Sequence, residues 1–109
     1  MAVAQKVLGQ SKPNATTLTD AYTVPALTQA TISTITVSNQ SATPTSFRVS
    51  VAVAGAGDTA AQYLWYDVAI AGNDTFAATI GITLGAADVV RVYNTLATCS
   101  FNIFGVETS

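Results

Sequence analysis

Six carboxylates make up the acidic side chains of this 109-residue sequence, which contains no histidine. Without an imidazole, the usual general base, the Ser-His and Cys-His nucleophiles and the commonest transition-metal ligand are all missing. A pair of carboxylates can still hydrolyse a glycosidic bond. The candidates are Asp20, Asp58, Asp67, Asp74, Asp88 and Glu107.

Four of these carboxylates have structural interpretations that we favour over catalysis. Asp58, Asp74 and Asp88 each lie in a glycine-containing turn segment, where an Asp side chain hydrogen-bonds to nearby backbone. Asp67 lies within a strand-like run, and we expect it to pair with Arg48 or Arg91, across a sheet or a subunit boundary. No run of alternating oxygen ligands resembles an EF-hand loop. The sequence therefore predicts no enzyme, no metal and no cofactor.

Cys99 is the single cysteine, so it cannot form a disulfide within the chain. It lies inside the strand-like run 97–106, which predicts a buried, inert thiol.

Aromatic residues offer two interpretations. Tyr63, Trp65 and Tyr93 can stack on sugar rings from one sheet face, or they can pack between protein subunits. We favour subunit packing.

The elements that position these residues are strands, because apolar residues recur with a period of two. One face of a first strand is predicted to contain Phe47, Val49, Val51 and Val53. A second strand spans 76–84. Between them, the alternation predicts one face with Leu64, Tyr66, Val68 and Ile70, and an opposite face with Tyr63, Trp65 and Asp67.

Turn residues separate about eight such strands at intervals of roughly 8–12 residues, a spacing typical of antiparallel sandwiches and small barrels. We predict an all-β chain, with residues 1–109 forming a single two-sheet antiparallel β-sandwich. Jelly-roll topology is the first choice and immunoglobulin-like topology the second. The apolar phase shifts between Ile32 and Ile35, which predicts either a β-bulge or a strand passing from one sheet to the other.

Charge is sparse: four basic and six acidic residues give a net charge of −2. No basic patch predicts nucleic-acid binding, and no segment predicts a membrane span or a signal peptide. Large apolar groups on both faces of 63–70 and 101–106, together with few lysines to protect strand edges, favour a homo-oligomer.

Several segments are similar to small virion proteins of tailed bacteriophages, cyanophages among them. These segments are KVLGQ (6–10), NATTLT (14–19), AYTVPA (21–26), VSNQSATPTSFRV (37–49), YDVAIAGNDT (66–75) and LATCSFNIFG (96–105). The resemblance covers nearly the whole chain and includes no catalytic motif.

The resemblance implies a virion structural protein made in the host cytoplasm. It favours a capsid decoration or cement protein that binds the major capsid protein or other virion proteins, often as a trimer. The interface residues that we predict are Tyr63, Trp65, Tyr66, Phe104, Arg48 and Arg91. The alternatives are a neck, baseplate or tail-fibre component and, from another class, a carbohydrate-binding module.

Overall fold

The computed structural model describes residues 2–109, which form eight strands and two short 3-10 turns. The strands are β1 (Val3–Ser11), β2 (Thr19–Thr23), β3 (Gln29–Asn39), β4 (Thr45–Ala52), β5 (Tyr63–Ile70), β6 (Thr75–Leu84), β7 (Val89–Asn94) and β8 (Cys99–Thr108). The turns, Val53–Gly55 and Ala60–Gln62, lie between β4 and β5. Within the described range, no helix has the length and apolar character needed to cross a membrane.

Two antiparallel four-stranded sheets form the predicted β-sandwich. Their strand orders are β1-β8-β3-β6 and β2-β7-β4-β5. The chain is folded like one long hairpin, because β1 pairs with β8, β2 with β7, β3 with β6 and β4 with β5. This nested pairing, rolled into two sheets, is the jelly-roll topology and differs from the immunoglobulin strand order. The first choice of topology is confirmed.

The core lies between the sheets and consists mainly of Val, Ile and Phe. Phe47 and Val49 point into it from β4, as their alternation predicts, and Phe47 packs edge-on against Phe101 with ring centroids 6.2 Å apart. The same prediction is wrong for Val53, which is 69% exposed because β4 ends at Ala52 and a 3-10 turn follows. Cys99 is buried, and burial raises the pKa of its thiol, as expected for an inert cysteine.

The phase shift between Ile32 and Ile35 is a β-bulge. Ile32 lies opposite Gly105 of β8 and Thr34 lies opposite Phe104, so Ser33 is an extra residue on β3. The bulge returns both isoleucines to the core, where neither has exposed surface. β3 therefore stays in one sheet, and the alternative of a strand changing sheets is wrong.

One open side of the sandwich is closed by a three-residue polar link. Tyr22 of β2 donates from its hydroxyl to Glu107 Oε2 at 2.6 Å, and Lys6 Nζ of β1 lies 2.7 Å from Glu107 Oε1. Hydrogen bonds from Lys6 and then Tyr22 lower the pKa of Glu107. Burial and the contact with Glu107 raise the pKa of Tyr22. The carboxylate thus connects the edges of both sheets.

We expect Glu107→Gln to destabilise the chain by about 0.5–1 kcal/mol at pH 7, because the amide accepts from Tyr22 but cannot form the ion pair. Since the pKa of Glu107 is lowered on folding, its contribution is complete above the ordinary value of 4.5 and is lost as the pH falls through the folded value. Urea unfolding followed by Trp65 fluorescence measures the difference. The difference between the two proteins should shrink as the pH falls below 4.5, and equal stability at pH 7 would contradict a role for the ion pair.

Candidate interaction surface

An arginine lies between two tyrosines on the outer face of the β2-β7-β4-β5 sheet. Arg48 lies on β4 between the inward-pointing Phe47 and Val49, so its own side chain points outward. Its Cζ atom is 4.1 Å from the ring centroid of Tyr66 and 4.3 Å from that of Tyr93. Cations at this distance over aromatic rings are attracted by the ring quadrupole.

A bulge in β5 brings Tyr66 to this face. Trp65 pairs with Val49 and Val68 pairs with Phe47, so both Tyr66 and Asp67 lie opposite Arg48. Asp67 adopts a left-handed backbone conformation, with φ of 51°, which allows the extra residue. The register shifts a second time at Leu64, since Trp65 lies opposite Val49 and Tyr63 lies opposite Ser50. The predicted faces of this strand are therefore wrong: Trp65 and Val68 point inward, whereas Tyr63 and Tyr66 share the outer face.

Asp67 fixes the guanidinium of Arg48. Nε donates to Oδ1 at 2.6 Å and Nη2 donates to Oδ2 at 3.3 Å, a two-pronged ion pair. These hydrogen bonds raise the pKa of Arg48, which stays charged. The pairing of Asp67 with Arg48 was one of the two expected from sequence, and it lies within one sheet of one chain.

Tyr63 completes this Arg48 cluster, which we define as Arg48, Tyr63, Tyr66, Asp67 and Tyr93. The rings of Tyr63 and Tyr66 meet edge to face, with centroids 5.0 Å apart and an interplanar angle of 88°. Burial and, after it, a hydrogen bond with Asp58 raise the pKa of Tyr63. Tyr66 remains 57% exposed.

Arg91 lies beside the cluster and holds the segment between β4 and β5. It donates from Nη1 to the Ala56 carbonyl at 2.7 Å and from Nη2 to the Gly55 carbonyl at 3.2 Å, and its Nε donates to Asp20 at 3.0 Å. Ser50 and Ala52 lie two and four residues after Arg48 on β4, so alternation places their side chains on the same outer face, yet both are fully buried. Arg91 is one of the predicted polar interface contacts. Its guanidinium, however, donates to partners within the chain.

The other two predicted interface residues lie elsewhere. Trp65 is partly buried, and its ring packs edge-on against Phe76 at 5.5 Å. Phe104 lies on the outer face of the other sheet, paired with Val7, which is 47% exposed. Three predicted residues, Arg48, Tyr63 and Tyr66, are therefore brought together. Tyr93, a candidate for subunit packing that is not one of the six predicted interface residues, joins them, since the alternation of β7 places it on the same face as Arg91.

Two of the remaining carboxylates hydrogen-bond to backbone N–H groups in turns. Asp88 accepts from the backbone N–H groups of Ala54 and Gly85, and Asp74 accepts from that of Thr75. The predicted turn roles of these two residues are confirmed. Across residues 2–109, no group of three or more Cys, Asp or Glu side chains is arranged to hold a metal ion.

Comparison of the chain with protein-family models, with curated proteins and with solved structures gives no match.

Proposed function

We propose that this chain is a virion structural protein that binds the capsid surface as a homo-oligomer and stabilises the shell, without enzymatic activity. The resemblance to small bacteriophage virion proteins supports the location in the virion, with synthesis in the host cytoplasm and a trimer as the implied oligomer. The jelly roll agrees with this role, because viral capsid domains use it, as lectins also do. A fold alone does not define a function, so the binding role rests on the surface.

The Arg48 cluster is the observation that carries the binding role. Tyrosine and arginine are enriched among the residues that contribute most to protein–protein affinity. Here they form a partly exposed set whose geometry is already fixed by the Asp67 ion pair and the ring contacts. Such preorganisation lowers the entropy lost on binding. A second virion protein could therefore pack on Tyr66 and Arg48 with little rearrangement.

The copy number of the chain in purified particles tests the location. Quantitative mass spectrometry against the major capsid protein is expected to give one chain per capsid subunit, or one trimer per lattice three-fold axis. A few copies per particle, in multiples of three or six, would instead identify a neck, baseplate or tail component. Absence from particles would contradict the virion role and leave sugar binding as the alternative to test.

Arg48→Ala is expected to weaken binding to capsids by about 30-fold, equivalent to the roughly 2 kcal/mol that defines a strong interface residue. The variant removes the guanidinium between Tyr66 and Tyr93 and leaves the core unchanged. Sedimentation of labelled protein with particles that lack the chain gives the dissociation constant.

Lys12→Ala is the matched control, because it removes one exposed positive charge outside the cluster. It should bind like the wild type. If Arg48→Ala also binds like the wild type while both variants remain folded, the cluster is not the capsid contact.

A further inference from the structure

The four edge strands of the sandwich differ in how they are protected from pairing with other strands. β1 contains Lys6, β2 contains Asp20, and β5 contains Asp67 together with its bulge. β6, the remaining edge, has the sequence TFAATIGITL, with neither charge nor proline over ten residues. Charged side chains, prolines and bulges are the usual devices that keep sheet edges apart. β6 has a bulge of its own against β3, where Ile80 and Gly81 lie opposite Ser33. It is nevertheless the one edge strand of the described residues without a charged side chain, so its edge is the least protected by side chains.

The backbone of β6 presents hydrogen-bonding groups to the open side. The N–H of Asn39 on β3 donates to the Asp74 carbonyl at 2.9 Å, immediately before β6 begins. The direction of these groups alternates along a strand. The backbone N–H and C=O groups of Phe76 and Ala78 therefore point toward β3, while those of Thr75, Ala77 and Thr79 point away from the sheet edge into the open side. Side-chain exposure also alternates without a break from Thr75 to Leu84, although the register with β3 shifts between Thr79 and Ile82, where Ile80 and Gly81 lie opposite Ser33.

We propose that β6 pairs with β6 of a second copy of this chain, antiparallel about a two-fold axis at Thr79, so that two sheets join into one eight-stranded sheet. In this register Thr79 faces its own counterpart, and the two residues exchange both backbone hydrogen bonds. Thr75 then faces Thr83 and Ala77 faces Gly81 on the outer side. On the inner side, Phe76 faces Ile82 and Ala78 faces Ile80.

The chemistry of these pairs favours a second copy as the partner. Every facing pair joins either small outer residues or apolar inner residues, and no charges oppose each other. Phe76 and Ile82 are only partly buried in one copy, where they pack against the rim of the core beside Trp65. A neighbouring β6 would cover this rim. An isologous contact of this kind is self-complementary and closes at two subunits.

This inference develops the homo-oligomer part of the proposed function, and it leaves the Arg48 cluster, on the other sheet, free to contact the capsid. We expect the free protein to be a dimer, in place of the trimer that the resemblance implies. The β6 dimer is tested by the molar mass of the isolated protein, whereas the virion role is tested by the copy number in particles. The two proposals can therefore fail separately.

Light scattering coupled to size exclusion tests the contact on the full chain. The wild type should have the mass of two chains. Thr79→Pro should have the mass of one, because proline removes the N–H that is exchanged across the axis and is tolerated on an exposed edge strand. Thr79→Val is the matched control, since it keeps the N–H and the branched side chain, and it should remain a dimer.

Hydrogen exchange on the wild type provides a second measurement that depends on no variant. The amides of Ala77 and Thr79 should exchange slowly in the dimer, and the Ala77 amide should exchange quickly in Thr79→Pro. A wild type with a mass of one or three chains, or with rapid exchange at both amides, would overturn the proposal. So would a folded Thr79→Pro that remains a dimer. If Thr79→Pro does not fold, the wild-type mass and exchange decide.

Discussion

Gly105→Ala should destabilise the chain by at least about 3 kcal/mol, a loss large enough to unfold many small domains. Gly105 lies in β8 between β1 and β3, next to the bulge at Ser33. A β-carbon added there would collide with the backbone carbonyl oxygen of Thr31 and would lie 3.0 Å from both Ile32 Cα and Leu8 Cδ1. Because two of these three atoms belong to backbone, relief requires β3 and β8 to separate. Urea unfolding followed by Trp65 fluorescence gives the loss.

Gly81→Ala is the matched control within the same sheet. A β-carbon at Gly81 meets no atom within 4 Å, and the residue does not have a left-handed φ. Alanine should therefore be neutral or stabilise the chain by up to about 1 kcal/mol, since it restricts the unfolded chain more than glycine does. If both variants lost a similar free energy of unfolding, close packing at the bulge would not be the reason for glycine at position 105.

Alternation along the sequence was sufficient to predict most of the sandwich. Phe47 and Val49 on β4 point inward as predicted, and the predicted strand 76–84 lies within β6, where side-chain exposure alternates regularly. The turn residues between runs then gave the number of strands. Eight strands of this length favour two sheets over one, and the jelly-roll topology followed as the first choice.

The surface residues were harder to predict because β5 does not advance regularly. Its alternation, counted from Ile70, places Trp65 outward, but the bulge at Tyr66 and Asp67 reverses the phase. No glycine marks this bulge, since Asp67 itself adopts the left-handed conformation. The sequence therefore contained the right aromatic residues for a surface cluster but assigned Trp65 to the wrong face.

The role of Arg91 could not be predicted from local sequence either. Its partners, the carbonyls of Gly55 and Ala56, lie about 35 residues away in the segment between β4 and β5, which contains no strand. Backbone carbonyls are present at every position, so residue type contains no signal for this contact. Alternation identified Arg91 as outward-facing, which is correct, but outward-facing is not the same as free to bind a partner.

Asn94→Asp is expected to cost about 3–5 kcal/mol at pH 7, because it places an unpaired charge in the interior. Asn94 has no exposed surface. Its Nδ2 donates to the carbonyls of Pro13 at 3.2 Å and Asn14 at 3.3 Å, and its Oδ1 accepts from the N–H of Cys99 at 3.0 Å. A carboxylate keeps the acceptor but directs a second anionic oxygen at two carbonyl oxygens. Urea unfolding from pH 3 to pH 7 measures the loss relative to the wild type.

The pH dependence separates this mechanism from a simple loss of packing. Burial and the two carbonyls should raise the pKa of the introduced carboxyl in the folded state, so the loss should grow as the pH rises above the unfolded value of about 3.9. At pH 3 the protonated acid can still donate one hydrogen bond. Asn102→Asp makes the same change at a partly exposed residue, whose Oδ1 only accepts from Gln10, and it should have little effect. A loss at Asn94 that is equal at pH 3 and pH 7 would contradict the buried-charge mechanism.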